Sequence, residues 1–139
     1  MFKQKLINSF IISIIFFLFS SCDTADDNNP FPTLDVRDKY TGEWKVTASC
    51  SKGNYTVNIT KDSSNSVRVL LQGFANSTAS QPDTALVTTN SVYLYQQMNS
   101  EGWLIEGAGN YQVDGSIAWV FTLVISGTQE SCTATYVKD

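Results

Sequence analysis

The chain has no histidine among its 139 residues, and this absence removes several common kinds of chemistry. Histidine is the general base of Ser–His–Asp and Cys–His mechanisms and a frequent ligand of zinc and other metals. Carboxylate pairs such as Glu43 with Asp83, or Glu101 with Glu106, remain, but their spacing follows no catalytic motif. We therefore expect no enzymatic activity, no cofactor and no metal.

The N-terminus has the parts of a bacterial secretion signal. Lys3 and Lys5 precede an apolar run of about 14 residues, shorter than the roughly 20 that a membrane-spanning helix needs. The string that follows, Leu18-Phe19-Ser20-Ser21-Cys22, resembles the lipobox of bacterial lipoproteins, although the commonest form has Leu where Phe19 stands. The resemblance implies a signal peptide over residues 1–21. It also implies a lipid on Cys22 that anchors the mature chain in the cell envelope, at the outer membrane.

Residues 22–34 contain several Asp, Asn and Pro residues and few apolar ones, so they cannot bury enough surface to order themselves. We predict an acidic tether there and a single folded domain over residues 35–139. Lys3 and Lys5 are two of the nine basic residues, so without them seven basic residues stand against 13 acidic ones, a net charge of −6. Because the chain has no basic stripe interleaved with aromatic residues, we expect no nucleic-acid partner.

Cys50 and Cys132 are the two cysteines that remain once Cys22 is assigned to the lipid. An even pair of cysteines in an exported protein favours a disulfide over two free thiols. Such a disulfide closes a loop of about 82 residues and would stabilise the fold by up to about 4.5 kcal/mol in the chain-entropy model. We therefore predict a Cys50–Cys132 disulfide.

Cys50, Cys132 and the carboxylates named above lie on or beside segments that have the two-residue period of β-strands. In residues 44–50, 55–60 and 67–71, apolar side chains alternate with polar ones. Turn residues separate the runs at short intervals, and Asp114-Gly115 is the clearest hairpin signal. We predict eight strands, near residues 40–50, 54–60, 66–74, 84–89, 91–98, 103–112, 116–126 and 129–138.

Short connections between eight strands predict an all-β fold, a single antiparallel up-and-down meander that closes into a barrel. The cysteines test this closure, because Cys50 ends the first strand and Cys132 lies near the start of the last, at the same end of the meander. Their Cα atoms reach the roughly 4.4–6.8 Å separation of a disulfide only if the sheet closes or folds over on itself. A β-sandwich is the alternative architecture.

The segment between residues 40 and 138 resembles small lipocalin-like domains of Gram-negative lipoproteins. The shared features are Gly42-Glu43-Trp44 at the start of the first strand, the Cys after that strand, Gly107-Ala108-Gly109, and Cys132-Thr133-Ala134-Thr135-Tyr136. The resemblance implies a barrel in which Trp44 plugs the closed end. The chain departs from true lipocalins in three ways: its first connection is a tight turn, no Arg near the last strand covers the Trp, and no helix follows that strand.

Five aromatic residues on the predicted inner face either line a ligand cavity or fill the core: Trp44, Tyr55, Trp119, Phe121 and Tyr136. Eight strands enclose just enough room for side chains or for one small ligand. Tyr93, Tyr95 and Trp103 either form an outward strip that binds a protein or a glycan, or cap the barrel and cover a cross-strand pair. We expect Gly107 and Gly109 to permit a strand bend or close backbone packing.

Together these features predict a non-enzymatic lipoprotein of the cell envelope that binds something. The expected partner is either a small apolar ligand inside the barrel or an envelope or extracellular partner on its outer face. The alternative is a structural or interaction module with a packed core and no small ligand. An enzyme is the last of the three classes, because no nucleophile or acid–base motif is present.

Overall fold

A computed structural model describes residues 33–50 and 53–138 of the chain. The predicted signal peptide, Cys22 and most of the predicted tether lie outside these residues. Within the described part, eight strands form one closed antiparallel barrel, so the predicted all-β meander is confirmed and the sandwich alternative is wrong. The strands are β1 Gly42–Ala48, β2 Asn54–Lys61, β3 Arg68–Gln72, β4 Asp83–Val87, β5 Ser91–Met98, β6 Leu104–Tyr111, β7 Ile117–Ile125 and β8 Thr128–Val137.

The barrel closes where the last strand pairs with the first. Val46 lies opposite Tyr136 and Ala48 opposite Ala134 in this antiparallel ladder. Every other pair joins strands that are neighbours in sequence, as expected from the short connections. Closure leaves no unpaired sheet edge, which is the feature that protects β-proteins from edge-to-edge association.

Alternation along each strand separates the interior from the surface. In β7, for example, Ile117, Trp119 and Phe121 are buried while Ala118 and Val120 between them are exposed. This pattern repeats around the barrel and gives one continuous apolar core. The two-residue period read from the sequence is therefore the period of burial.

The two glycines of β6 allow the large side chains of β7 to pack directly against the β6 backbone. Gly107 lies opposite Phe121 and Gly109 opposite Trp119. A Cβ on Gly107 would lie 2.5 Å from the Phe121 Cβ, and one on Gly109 would lie 2.6 Å from the Trp119 ring. The predicted close packing at these two glycines is confirmed.

The third strand ends earlier than the sequence pattern predicts. That pattern extends the strand to residue 74, whereas the ladder stops at Gln72 and Gly73 adopts a left-handed backbone with a φ of 85°. A short 3-10 turn, Phe74–Asn76, follows. Glycine is required at position 73 because a Cβ would come within 2.9 Å of the Thr56 carbonyl oxygen.

The strand directions define two ends of the barrel. The upper end carries the loops after β1, β3, β5 and β7, which include residues 73–82 and 99–103. The lower end carries the segment that precedes β1 and the loops after β2, β4 and β6. The Cys50–Cys132 disulfide lies at the upper end with a Cα–Cα distance of 5.5 Å, so the predicted pairing is confirmed. No helix in the described part of the chain is long and apolar enough to cross a membrane.

Candidate functional site

The lower end is closed by two aromatic residues whose polar atoms all have partners. Tyr40 and Trp44 are fully buried. The Trp44 Nε1 donates a hydrogen bond of 2.7 Å to the Tyr40 carbonyl oxygen, and the Tyr40 hydroxyl donates one of 3.0 Å to the Thr88 carbonyl oxygen. Trp44 therefore lies where the lipocalin-like resemblance implied, and it is held by satisfied hydrogen bonds.

An ionic network fixes the segment before β1 against the lower loops. The Arg37 guanidinium contacts the Asp35 carboxylate at 2.7 Å and donates to the carbonyl oxygens of Asp62 and Asn65. The hydrogen bonds from Arg37 hold the pKa of Asp35 well below its usual range. Lys61 adds an ion pair of 3.0 Å to the same carboxylate. The lower end is thus tied down by several independent contacts.

Lys138 covers the Trp44 ring, where true lipocalins have an arginine that this chain lacks near its last strand. Its Nζ lies 4.7 Å from the centroid of the Trp44 ring and donates a hydrogen bond of 2.9 Å to the Lys39 carbonyl oxygen. A cation above an indole ring is attracted by the ring's electron density. Sequence reasoning looked for Arg near the last strand and overlooked the lysine that directly follows β8.

The five aromatic residues predicted to face inward do meet inside the barrel. Trp44, Trp119, Phe121 and Tyr136 are at most 3% exposed, and Tyr55 is half-buried against the same core. The Trp119 and Tyr136 rings lie 5.6 Å apart. Side chains this deeply buried leave no room for a water molecule beside them, so the aromatic side chains fill the space they enclose.

Phe74 completes this filling, and sequence analysis did not identify it. Although it belongs to a loop, its side chain is fully buried and its ring lies 5.2 Å from Trp119 and 5.0 Å from Phe121, in edge-to-face geometry. The two residues that follow, Ala75 and Asn76, have left-handed backbones with φ of 54° and 60°. Non-glycine residues adopt this conformation only when surrounding contacts impose it.

The loop that carries Phe74 is held down by one acidic side chain. Glu101 accepts hydrogen bonds from the hydroxyls of Ser77 and Thr78 and from the Thr78 backbone N–H. Asn99 donates to the Ser77 hydroxyl at 3.3 Å. The hydrogen bond from the Thr78 hydroxyl is the main reason that the pKa of Glu101 is lowered. The residue 73–82 loop, which we call the upper loop, is therefore held closed by hydrogen bonds from Ser77 and Thr78 to Glu101 and from Asn99 to the buried Ser77.

Three polar atoms inside the barrel lack hydrogen-bond partners. The Tyr55 hydroxyl, the Tyr136 hydroxyl and the Trp119 Nε1 are buried, and none of them has a partner among the described residues. The two tyrosine hydroxyls are close enough to affect each other's pKa, but they do not meet with hydrogen-bond geometry. Burial raises the pKa of Tyr55 to about 12 and that of Tyr136 well above its usual value.

Asp83 adds a carboxylate to this polar group. It begins β4 on the inner face and is 3% exposed as a residue, but its oxygens are not among the fully enclosed polar atoms and still contact solvent. Burial, with a smaller contribution from the charge of Glu101, raises its pKa to about 6. Its charge also contributes, as the smallest of several causes, to the raised pKa of Tyr136.

The outer face of β4 to β7 carries the other predicted residues. Tyr93 and Tyr95 are 42% and 64% exposed, as an outward strip requires, whereas Trp103 is half-buried against the core and does not join them. Cross-strand pairing aligns Tyr93 with Ala108, and Ala108 with Val120, which is 64% exposed. This apolar row, the outer row, was not predicted beyond its tyrosines.

A third group lies beside the disulfide. A carboxylate oxygen of Glu130 and the two sulfurs of Cys50 and Cys132 all lie within 4.8 Å of one another. Metals bind cysteine as the thiolate, and these sulfurs are bonded to each other. The group therefore acts as a covalent staple of the upper end.

Comparison with known proteins adds little to this geometry. No protein-family model matches the chain, and no curated protein matches it. Among solved structures, a redesigned β-barrel is similar, with 12% sequence identity and a TM-score of 0.49. The similarity covers 78% of this chain and 99% of the other.

Proposed function

We propose that the mature protein is a non-enzymatic, lipid-anchored lipoprotein of the cell envelope, with a lipocalin-like barrel that binds a small, largely apolar ligand. The ligand would enter through the upper end, where a loop rather than a strand closes the barrel. The observation that carries this proposal is the group of unpartnered polar atoms inside an otherwise apolar interior.

Buried polar groups in native proteins nearly always have partners, because an unsatisfied donor or acceptor costs about 1–3 kcal/mol. Here the Tyr55 and Tyr136 hydroxyls and the Trp119 Nε1 meet no partner with hydrogen-bond geometry among the described residues. The polar group that most affects the pKa of each tyrosine hydroxyl is the other tyrosine hydroxyl. Small-molecule sites combine apolar walls with a few convergent polar groups of this kind. A ligand that offers hydrogen bonds to these atoms would recover the lost free energy.

The unequal closure of the two ends supports the same proposal. At the lower end, the polar atoms of Tyr40 and Trp44 are satisfied by the backbone. At the upper end, the plug is Phe74, whose loop has left-handed residues and is fastened by Glu101 at the surface. Lids that open for ligands belong to the less stable parts of a fold.

The test is a binding screen of the full chain purified in detergent. Small apolar and amphipathic compounds are titrated, and the fluorescence of Trp119 is followed in a variant whose Trp44 and Trp103 are replaced by Phe. We expect a saturable change in emission, with a rise in melting temperature, for at least one compound class. A set of compounds that bind neither this variant nor the wild type would contradict ligand carriage.

The anchor is tested separately from the ligand. Replacing Cys22 by Ser removes the predicted lipid attachment, and the protein should move from the membrane fraction to the soluble fraction of the envelope. The matched control is the Cys50→Ser/Cys132→Ser double variant, which should remain in the membrane fraction. If Cys22→Ser stays with the membrane, the lipoprotein part of the proposal is wrong.

A second candidate function uses the outer row. Exposed Tyr93, aligned through Ala108 with exposed Val120, and exposed Tyr95 on the same strand are aromatic and apolar side chains of the kind enriched at protein interfaces. Replacing Tyr93 and Val120 together by Ser should abolish capture of an envelope protein without changing ligand binding inside the barrel. If the double variant and the wild type capture the same envelope proteins and bind the same glycans, the outer row is not a binding surface.

A further inference from the structure

Phe74 occupies a place that a ligand ring can take. Its ring lies edge-on to Trp119 at 5.2 Å and to Phe121 at 5.0 Å, and Trp119 in turn contacts Tyr136 at 5.6 Å. The aromatic walls come from strands, whereas the ring between them comes from the upper loop. An aromatic compound of similar size can therefore replace Phe74 without disturbing the barrel ladders.

A carboxylate opens onto the same space from the neighbouring strand. Asp83 lies opposite Leu71, two residues before Gly73, so Asp83 and Phe74 enter the interior from adjacent positions at the upper end. Asp83 is 3% exposed as a residue, and within residues 33–50 and 53–138 its carboxylate meets no hydrogen-bond or ion-pair partner, although its oxygens are not fully enclosed and still contact solvent. A buried carboxylate that lacks a counter-charge creates a favourable position for a cation.

The residues around this space favour a positively charged ligand over a negatively charged one. Trp119, Phe121, Tyr136 and Tyr55 present aromatic rings or phenol groups, and the faces of such rings attract cations. The one carboxylate inside the barrel repels anions, and no described Lys, Arg or His side chain is buried in the core. Both features favour a positively charged group next to an aromatic one.

We propose that the barrel binds a small aromatic amine, whose ring replaces Phe74 between Trp119 and Phe121 and whose ammonium group pairs with Asp83. This assignment rests on the proposed ligand-binding function and names the ligand class. The hydroxyls of Tyr55 and Tyr136 accept hydrogen bonds from the ammonium group, and the upper loop moves outward to release the Phe74 ring. No covalent step is involved.

The upper loop has a hinge that suits this movement. Gly73 is left-handed with no side chain, and Ala75 and Asn76 lie in a conformation that relaxes when the loop leaves the barrel. Glu101 holds the closed state through the side chains of Ser77 and Thr78. Binding therefore exchanges one aromatic ring for another and adds an ion pair.

The experiment compares three phenyl compounds of similar size that differ in charge: 2-phenylethylamine, 2-phenylethanol and 3-phenylpropanoate. Isothermal titration of the full chain in detergent measures each affinity, and the same titration of each variant corrects for partition into micelles. We expect the amine to bind best. Asp83→Asn should weaken amine binding by about 10- to 100-fold, the usual worth of a charge-assisted hydrogen bond, and leave phenylethanol unchanged.

Two further variants separate the roles of charge and plug. Glu106→Gln removes a carboxylate from the outer face of β6 and should leave amine binding unchanged. Phe74→Ala vacates the ring site and should tighten amine binding by about tenfold, because the occupied state no longer competes. Circular dichroism checks that each variant keeps the β-fold.

The outcomes distinguish this inference from the proposed function. If all three probes bind equally, or if Asp83→Asn binds the amine as the wild type does, the amine assignment is overturned while ligand carriage stands. If none of the three probes binds wild type or Phe74→Ala, but other apolar compounds of the binding screen do bind, the amine assignment is overturned and ligand carriage stands. If no compound binds either protein, both proposals are wrong.

Discussion

The two ends of the barrel perform the same structural task with different chemistry. At the lower end, Trp44 and Tyr40 donate to backbone oxygens and an Arg37 network fixes the covering segment. At the upper end, Phe74 closes the barrel from a loop with left-handed residues, and polar atoms beneath it lack partners among the described residues. The polar atoms of the lower plug all have hydrogen-bond partners, whereas the upper end contains polar atoms without partners among the described residues and backbone in an unfavourable conformation.

This difference indicates which end is built to remain closed. A plug whose hydrogen bonds are all satisfied loses them when it moves, so opening the lower end is costly. A plug that covers an unpaired carboxylate and strained residues regains free energy in part when it leaves. The two plugs are therefore comparable in burial but unequal in the free energy needed to remove them.

The largest effect should come from the lower plug. Trp44→Ala should lower the free energy of unfolding by about 3–5 kcal/mol, because it leaves a cavity and removes the hydrogen bond to Tyr40. Phe74→Ala should cost less, since the upper loop can relax when the ring is gone. Urea unfolding measures both variants. If Trp44→Ala and Phe74→Ala lose the same unfolding free energy, the two plugs do not differ in how firmly they are held.

The second largest loss of stability should come from removing the disulfide at the upper end. The Cys50→Ala/Cys132→Ala variant should lose about 2–4 kcal/mol of unfolding free energy, because the unfolded chain gains conformational freedom. Reducing the wild type with a dithiol should cause a similar loss and should not affect the variant. Unchanged stability in the double variant would show that the ladder between β1 and β8 closes the barrel unaided.

The pH dependence of stability should reveal the buried carboxylate. The pKa of Asp83 is raised from 3.8 to about 6 in the folded state, so the folded protein retains a proton that the unfolded chain has lost. The free energy of unfolding should therefore fall by on the order of 2–3 kcal/mol as pH rises from about 4 to about 6. Asp83→Asn should remove this fall, which thermal unfolding across that pH range would detect.

The lower end supplies the control for this measurement. Asp62 has a pKa lowered to about 2 by hydrogen bonds from Ser64, so its contribution is lost only as pH falls below about 4. Asp83→Asn should leave that acid limb in place, whereas Asp62→Asn should weaken it. If wild type and Asp83→Asn run parallel between pH 4 and 6, the carboxyl is not desolvated in the folded protein.

The smallest effect should come from Lys138 above the Trp44 ring. Lys138→Met keeps the length of the side chain but removes its charge, and it should cost about 0.5–1 kcal/mol through the lost cation–π contact. Lys138→Arg should retain the contact and most of the stability. Chemical denaturation resolves the difference, and equal stability of the Met and Arg variants would mean that the charge contributes nothing to the lower plug.

Most of the architecture could be predicted from local patterns. Alternation located all eight strands, because a strand with one buried face repeats its environment every second residue. The position of Cys50 after β1 and Cys132 early in β8 implied that the sheet closes or folds over on itself; the disulfide confirms the pairing, and the ladder between β1 and β8 shows closure. The resemblance of Gly42-Glu43-Trp44 to the lipocalin motif also implied that Trp44 plugs one end of the barrel.

The candidate site was predicted only in part. The inward positions of Trp119, Phe121 and Tyr136 followed from alternation. Phe74 did not, because it follows the strand pattern of residues 66–74 without a break, and nothing local shows that Gly73 turns the chain inward. Asp83 followed no catalytic motif, and neither Pro82 before it nor Thr84 after it indicates a buried side chain.

The sequence by itself determined the strands, their order, the disulfide partners and the inward face, because each follows from residues close together or from a simple count. Only the tertiary structure decided that Phe74 fills the barrel, that Lys138 covers Trp44 and that Asp83 is buried without a hydrogen-bond partner in the described part of the chain. These features depend on side chains from distant strands that meet in three dimensions. Burial and hydrogen bonding are properties of that meeting, so no local pattern encodes them.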